Sequence, residues 1–157
     1  MQPTLVQYAA PGWGVGEVWL AGTRVFHSEL PRPRRLTAGA DATARSRTLV
    51  ERLRAFFAGE PETFAGVPVR SEDGFYGDLT RALRKIPRGE VVTYGELAAL
   101  AGYPGAARAA GTFCGRCDLS PFVPTHRVVA ADGIGSYGDL GVDYKRRLLE
   151  LEGVVLG

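Results

Sequence analysis

The chain has 157 residues and carries nineteen basic and seventeen acidic residues, a formal net charge of +2. This length allows one domain or two small ones with a buried core, and the near-neutral balance excludes a protein that binds polyanions through bulk charge alone. Apolar residues make up 45% of the chain and charged residues 23%, which excludes a disordered chain. No apolar run is long enough to span a bilayer, and the first residues lack the basic start of a signal peptide. We therefore expect a cytoplasmic protein without membrane contact.

The cysteine count narrows the chemistry further. Cys114 and Cys117 are the only cysteines, which excludes a disulfide framework, although their spacing suits a redox pair or half of a metal site. A zinc site needs four ligands, and His27 and His126 are the only histidines. We expect no metal and no cofactor.

Short strands and one helix are predicted for the N-terminal half. The strands form an antiparallel meander and cover residues 5–8, 15–20 and 24–30. The proline-rich and arginine-rich stretch 31–35 is predicted to be an exposed connector. Apolar residues at helical spacing predict a helix over 42–58, and the glycines and prolines of 60–74 predict a linker.

Helices dominate the second half, where seven basic residues face three acidic ones between positions 81 and 130. A helix is predicted over 76–86, and Thr93 with Glu96 forms a capping-box pattern at the start of another that runs through Ala101. A turn over 102–105 and a helix over 106–116 complete a helix-turn-helix.

The helix over 106–116 has two readings. Its alanines and glycine leave little side chain on one face while Arg108 projects, which suits a narrow DNA groove entered by small residues and one cationic side chain. The same small residues also permit tight helix packing in a core, with Arg108 on a solvated face.

The segment Pro124–Val128 resembles a known signature. Its Pro-Thr-His-Arg-Val is similar to the Pro-Cys-His-Arg-Val of the O6-alkylguanine-DNA alkyltransferases, with Thr125 where that family has its acceptor cysteine. The flanking sequence agrees as well, at 56–59, 86–98, 107–109, 135–137 and 145–153. We identify the chain as a member of this family, most clearly over 74–153.

The resemblance implies an α+β fold. A small ribonuclease-H-like domain of strands and one helix would occupy residues 1–72. A helical DNA-binding domain with a winged helix-turn-helix would occupy residues 73–157.

The resemblance also assigns residues to DNA. The family binds the minor groove and rotates a damaged guanine out of the stack, an extrusion that costs a few kcal/mol. Arg108 matches the arginine that fills the vacated space, and Tyr94 matches the tyrosine that presses on the neighbouring phosphate. The groups expected to assist at phosphates are Thr93, the backbone at Ala106 and Ala107, and Arg127. The lesion pocket would contain Thr125, Tyr137 and Cys117.

The catalytic machinery of the family is only partly present. His126 and Glu152 match its base and the carboxylate that orients the base, which in active members draw a proton from the cysteine. A threonine hydroxyl is far less acidic than a thiol and is hindered by its methyl group, so no catalysis is expected at Thr125. His126 and Glu152 then have an alternative, structural role as a hydrogen-bonded pair between the turn and the last helix. Cys117 replaces the asparagine at the family's hinge and is the alternative acceptor.

These residues favour a DNA-damage sensor over an enzyme. The expected protein is a monomer that binds double-stranded DNA containing O6-alkylguanine, flips the lesion without removing the alkyl group and marks it for nucleotide excision repair proteins. Two alternatives stay open: an active alkyltransferase that uses Cys117, and a helix-turn-helix regulator that has lost lesion recognition.

Overall fold

The computed structural model describes residues 3–37 and 46–156. They form two compact units, which the chain enters more than once. The first unit holds Met1–Arg70 with Asp118–Phe122, and the second holds Ser71–Cys117 with Val123–Gly157. Asp118–Phe122 thus belongs to the first unit. From the sequence we expect one boundary after residue 72, which assigns this segment to the second domain. Within the described residues, no helix has the length and apolar character needed to cross a membrane.

An antiparallel sheet forms most of the first unit. Its strands are β1 (Thr4–Ala10), β2 (Gly14–Ala21) and β3 (Arg24–Arg32), in the spatial order β1-β2-β3. The predicted meander is therefore confirmed. Tyr8 lies opposite Gly16 in the register, and a Cβ atom at residue 16 would come within 2.2 Å of the Tyr8 ring. The glycine is what allows this fully buried tyrosine to cross the sheet.

Helix α1 (Arg47–Phe57) packs its apolar side into the core of the first unit. Leu53 and Phe56 are buried, and the indole nitrogen of Trp13 donates a 3.0 Å hydrogen bond to the carbonyl of Phe57. The helix was predicted over 42–58; residues 42–45 of that range lie outside the described residues. The remainder ends as expected, with Gly59 at a φ of 89° just beyond the helix.

Two segments of the first unit differ from the sequence-based prediction. The predicted connector 31–35 gives its first two residues to β3, which is an edge strand of the sheet and therefore tolerates Pro31. The predicted linker 60–74 is packed rather than free over its first part. Phe64, Val67 and Val69 are buried, and the amide of Arg70 donates to the carbonyl of Val25 at 2.7 Å.

The second unit is mainly helical. Its helices are α2 (Gly74–Leu83), α3 (Tyr94–Leu100), α4 (Ala107–Arg116) and α5 (Val142–Leu151). Helix α2 begins two residues earlier and ends three residues earlier than predicted, because a turn at Arg84–Ile86 replaces its last residues. Leu79, Leu97 and Leu148 lie in the core of this unit with no exposed surface.

A short parallel pairing places the functional segments side by side. Strand β4 (Val92–Thr93) pairs with β5 (Val128–Val129), so that Thr93 lies opposite Val129. Tyr94 opens α3 directly after β4, and the 3-10 turn Thr125–Arg127 directly precedes β5. This pairing brings the start of the helix-turn-helix next to the segment that carries the family signature. The fold class predicted from the sequence, α+β with a strand-and-helix unit and a helical unit, is confirmed.

Candidate functional site

The capping box at the start of α3 is formed as predicted. The Thr93 hydroxyl accepts from the Glu96 amide at 3.1 Å, and the Glu96 carboxylate accepts from the Thr93 amide at 2.9 Å. The two residues satisfy amide groups that a helix otherwise leaves without a partner, which fixes where α3 begins. The Thr93 hydroxyl therefore has a local structural role, whatever else it contacts.

The exposed surface of helix α4 consists mainly of small side chains at its first turn. Ala107, Arg108 and Ala109 are exposed at its first turn, and Ala106 immediately before them is half-buried. The opposite side of the helix is held in the unit by Ala110 and Phe113, which are buried. Helix α4 therefore has the small exposed surface that the groove reading requires, and its core contacts come from other residues.

Arg108 projects from this surface. Its side chain is exposed and makes no hydrogen bond or ion pair within the part of the chain that the structure describes. An exposed guanidinium keeps five donors for a phosphate, a base edge or a stacking contact. The arginine is thus available for an external partner.

Tyr94 lies between α4 and the segment Gly135–Tyr137. Burial is the first cause that raises its pKa above the ordinary value; the neighbouring Cys114 adds to the rise and a hydrogen bond with Ser136 opposes it. The hydroxyl group therefore stays protonated and points into the unit rather than freely into solvent. The contact of Tyr94 with a phosphate stays a prediction.

Thr125 and Tyr137, both expected in the lesion pocket, lie next to each other. The Thr125 hydroxyl is buried and lies 3.2 Å from the Tyr137 hydroxyl. The Tyr137 ring is half-buried and stacks on Tyr144 at a centroid distance of 6.5 Å. The residue at the acceptor position is therefore hydrogen-bonded to the residue expected to contact the base.

His126, Arg127 and Glu152 form one buried ionic cluster. His126 Nε2 lies 2.9 Å from Glu152 Oε2, and the Arg127 guanidinium donates to both carboxylate oxygens at 2.9 and 2.7 Å. A further donor of Arg127 binds the Ile86 carbonyl at 2.7 Å, and the Gly89 amide approaches Glu152 at 3.4 Å. The cluster joins the signature turn to the end of α5 and to the segment after α2.

The cluster fixes the charges of its members. Burial by itself would raise the pKa of Glu152, but the hydrogen bonds and charges of His126 and Arg127 outweigh it and lower that pKa to about 2. For His126, burial lowers the pKa and the hydrogen bond with Glu152 only partly opposes this. The arrangement is a neutral imidazole beside a carboxylate whose charge Arg127 balances.

The surroundings of Arg127 differ from those predicted. The resemblance made it an assistant at DNA phosphates, but only 7% of its surface is exposed and its donors are occupied by Glu152 and Ile86. Removing the guanidinium from this pair to bind a phosphate would leave a carboxylate buried without its counterion. Its place is therefore inside the fold, as a support of the signature turn.

The two cysteines differ in their surroundings. Cys114 lies within α4, where burial first and the neighbouring Cys117 second raise its pKa to about 12. Such a thiol is not a nucleophile near neutral pH. Cys117 is the half-buried residue that ends α4, with extended backbone angles of −64° and 128°. Of the two, Cys117 is the better candidate for an acceptor.

Lys145 was not predicted, although the sequence carries a signal for it. The residue lies on the buried side of α5 with Leu148 and Leu149, at the spacing i, i+3 and i+4 of an apolar helix face. A lysine on the same helix face as two buried leucines is unusual, because lysines are rarely buried without a counterion. That mismatch marked Lys145 as a residue with a special environment.

Comparison with known proteins identifies the family. Residues 74–154 match the model of the 6-O-methylguanine DNA methyltransferase DNA-binding domain. Two relatives named methylated-DNA–protein-cysteine methyltransferase are similar to the chain. The one from Mycobacterium tuberculosis is 45% identical over 105 residues, 66% of this chain and 62% of the relative. The one from Methanopyrus kandleri is 39% identical over 129 residues, 81% of this chain and 95% of the relative.

Solved structures agree with the sequence comparison. The crystal structure of Mycobacterium tuberculosis OGT in complex with DNA is similar at a TM-score of 0.80 and 33% identity, covering 95% of this chain and 92% of that one. The crystal structure of Mycobacterium tuberculosis O6-methylguanine methyltransferase gives a TM-score of 0.79 at 30% identity, with 96% and 92% covered. The aligned part of this chain spans 62% of the mycobacterial relatives' length. By the family model and by its likeness to these relatives, the chain belongs to the 6-O-methylguanine DNA methyltransferase family.

Proposed function

We propose that this protein binds double-stranded DNA, accommodates O6-alkylguanine in the pocket of Thr125 and Tyr137, and does not transfer the alkyl group to Thr125. The observation that carries the proposal is the residue at the acceptor position. It is a buried threonine whose hydroxyl is hydrogen-bonded to Tyr137 at 3.2 Å. A neutral hydroxyl in this setting is not a nucleophile that displaces an alkyl group from guanine.

The binding part of the proposal rests on α4 and on the relatives. The exposed Ala107 and Arg108 form a surface that fits a groove, and a relative of 33% identity has been crystallised with DNA. In this proposal Arg108 enters the duplex and fills the space that the extruded base leaves. Phosphate contacts from Tyr94, Thr93 and the amides at the start of α4 would hold the backbone beside the lesion.

The pocket part rests on the fixed geometry around the signature turn. The Arg127–Glu152 ion pair supports the signature turn, and the Tyr137 hydroxyl lies within hydrogen-bond distance of the Thr125 hydroxyl. Extrusion costs least for a poorly paired, damaged base, which gives the protein a preference for the lesion. A bound lesion that stays alkylated would then be marked for another repair system, and nucleotide excision repair is the one that the resemblance suggests.

A second candidate function is alkyl transfer to Cys117. It is favoured by the relatives, which are named as methyltransferases. In this alternative the Cys117 sulfur forms the new bond to the alkyl carbon, the carbon–O6 bond breaks, and the thiol proton passes to the guanine. His126, held by Glu152, is the base within the same unit.

One experiment separates the two functions. Duplexes with O6-methylguanine or guanine at the same position are titrated with the protein, and the intact protein mass is measured after long incubation with the alkylated duplex. A sensor binds the alkylated duplex more tightly and keeps its mass. A stoichiometric mass gain mapped to Cys117 would show transfer instead, and equal affinities for both duplexes at several salt concentrations would favour a regulator.

A gain-of-function variant tests the chemistry directly. Thr125→Cys places a thiol beside His126 and Glu152, and we expect single-turnover alkyl transfer, detected as a mass gain at residue 125. The rate is expected to be low because the hinge asparagine is replaced by Cys117, and about 1 Å of displacement costs about a hundredfold. Adding Cys117→Asn should raise the rate, while Thr125→Ser is the control that gives no transfer. A double variant that binds the lesion and never gains mass would contradict the pocket assignment.

A further inference from the structure

Lys145 is a buried charged residue for which the proposed function has no role. Only 1% of its surface is exposed, and no carboxylate pairs with it among residues 3–37 and 46–156. Its Nζ atom donates one hydrogen bond, to the Ser136 carbonyl at 3.2 Å. An ammonium group removed from water needs other stabilising contacts.

Two aromatic rings supply those contacts. Nζ lies 5.7 Å from the centroid of the Tyr94 ring and 5.8 Å from that of the Tyr137 ring. At such distances a cation is attracted to the face of an aromatic ring, and more strongly where water is excluded. The rings belong to the two tyrosines that the proposed function places at the phosphate and at the lesion. The same ammonium group therefore lies beside both tyrosine rings.

Gly135 leaves the space that this arrangement requires. Its φ is 80°, and a Cβ atom there would lie 2.9 Å from the Tyr94 hydroxyl and 3.4 Å from Lys145 Nζ. The segment Gly135–Tyr137 therefore lies directly on both side chains, which a larger residue at position 135 would push apart. Lys145 closes the group by binding the next carbonyl, that of Ser136.

We propose that Lys145 is a positioning residue for lesion recognition: its ammonium group holds Tyr94 and Tyr137 in one arrangement, and loss of the positive charge weakens the preference for the damaged base. The inference rests on the proposed function, which gives the two tyrosines their contacts. It adds a charge requirement to that function. An uncharged side chain of similar length would fill the space and still fail to hold the rings.

The charge of Lys145 is sensitive to alkaline pH. Burial is the first cause that lowers its pKa, to about 8, and the nearby Cys114 partly opposes this. The titratable groups that face it are Tyr94 from α3, Cys114 from α4, His126 from the signature turn and Tyr137. The pKa shifts of Tyr94 and Cys114 are upward and that of His126 is downward, so these three stay neutral from about pH 7 to about pH 9. Lys145 changes its charge within that range.

Stability and recognition should then move in opposite directions. The folded pKa of Lys145 lies below its unfolded value of 10.5, so the folded state releases the proton first and the free energy of unfolding rises from about pH 8 toward about pH 10.5. The lesion preference falls over the start of the same range. A lysine that merely supported the fold would raise the free energy of unfolding over this range and leave the lesion preference unchanged.

The chain offers a direct probe, because Lys85 and Lys145 are its only lysines. Protein labelled with carbon-13 at lysine Cε gives two signals, one for each lysine. We expect the Lys145 signal to titrate near pH 8 and the ring signals of Tyr94 and Tyr137 to follow the same midpoint in the free protein. Ring signals that ignore this titration would overturn the positioning role.

The binding experiment uses Lys145→Met with Lys85→Met as the matched control. Lys85 is exposed and lies in the turn after α2, outside the two helices of the helix-turn-helix. The ratio of affinities for O6-methylguanine and guanine duplexes is measured at about pH 7 and about pH 9. We expect the ratio to fall about tenfold in Lys145→Met at the lower pH and in the wild type at the higher pH, as for loss of a desolvated cation–π contact. Lys85→Met should keep the wild-type ratio at about pH 7.

The outcomes are distinguishable. A wild-type ratio independent of pH, or a folded Lys145→Met protein with the same ratio as Lys85→Met, overturns the inference and leaves the proposed function intact. A wild type that prefers neither duplex at any pH contradicts the proposed function, and the ring signals then decide alone whether Lys145 holds the two tyrosines. If Lys145→Met does not fold, the wild-type pH dependence of the ratio and of the ring signals decides, with a fall near pH 8 supporting the inference.

Discussion

Two arginines of the helical unit, both expected at the DNA, have opposite surroundings. Arg108 is exposed on the first turn of α4 and makes no side-chain hydrogen bond within the described part of the chain. Arg127 is buried, with its guanidinium bound to both oxygens of Glu152 and to the Ile86 carbonyl. The charge is the same in both places, and the solvent exposure and the partners differ.

The difference shows how burial divides structural from binding roles. A guanidinium bound to a buried carboxylate supports the fold, because withdrawing it leaves a charge without a partner. An exposed guanidinium contributes little to stability and keeps its donors for an external anion or base. The same unit thus has one arginine that supports the signature turn and one that can reach a partner. Four predictions test this division, from the largest expected effect to the smallest.

Arg127→Met should cause the largest loss of stability. It removes the partner of a buried carboxylate, and we expect the free energy of unfolding to fall by about 3–5 kcal/mol. Chemical denaturation measures this value. Arg116→Met, which removes an exposed arginine at the end of α4, is the control and should change stability by less than about 0.5 kcal/mol. Similar losses in both variants would show that burial does not separate their roles.

Acid should weaken the buried cluster in a defined range. The folded pKa of Glu152 is about 2, below its ordinary 4.5, so its contribution to stability is complete above the ordinary value and is lost as the pH falls toward 2. The difference in unfolding free energy between the wild type and Glu152→Gln should therefore shrink from about pH 5 to about pH 2. Unfolding measured at intervals over this range tests it, and a constant difference would mean that the ionic form of Glu152 has no special stabilisation.

Arg108→Ala should change binding and leave stability almost untouched. Without a side chain to fill the vacated stack, the preference for O6-methylguanine over guanine duplexes should fall by about 1–3 kcal/mol, the size of a lost stacking contact. Fluorescence anisotropy with both duplexes gives the preference, and denaturation should give a change within about 0.5 kcal/mol. An unchanged preference, with Arg116→Ala as the reference for lost charge, would contradict the proposed role of α4 in DNA recognition.

Arg108→Lys should have the smallest effect. The lysine keeps the positive charge, so affinity for the undamaged duplex should be nearly unchanged, while the planar guanidinium that stacks on bases is lost. We expect the lesion preference to fall by about 1 kcal/mol or less, between the wild type and Arg108→Ala. A fall as large as that of Arg108→Ala would show that the planar group and not the charge carries the preference.

Sequence reasoning succeeded where the signal is local. Strands, helices and the capping box at Thr93 and Glu96 follow from periodicity and from residues three apart, and the structure confirms them. The signature around Thr125 gave the family, which the comparisons confirm. The signature did not predict the environment of Arg127 or Lys145, because most of the residues around these two side chains are distant in the sequence.

By itself, then, the sequence determined the order and type of the elements, the family and the absence of a thiol at position 125. Only the tertiary structure decided which residues the buried charged side chains contact. Arg127 meets Glu152 and Ile86, and Lys145 meets Tyr94 and Ser136, across 25 to 51 positions in all but the last of these pairs. Such contacts form when distant segments pack together, so the partners that stabilise a buried charge, and with them the division between support and recognition, are fixed by the fold and not by a local pattern.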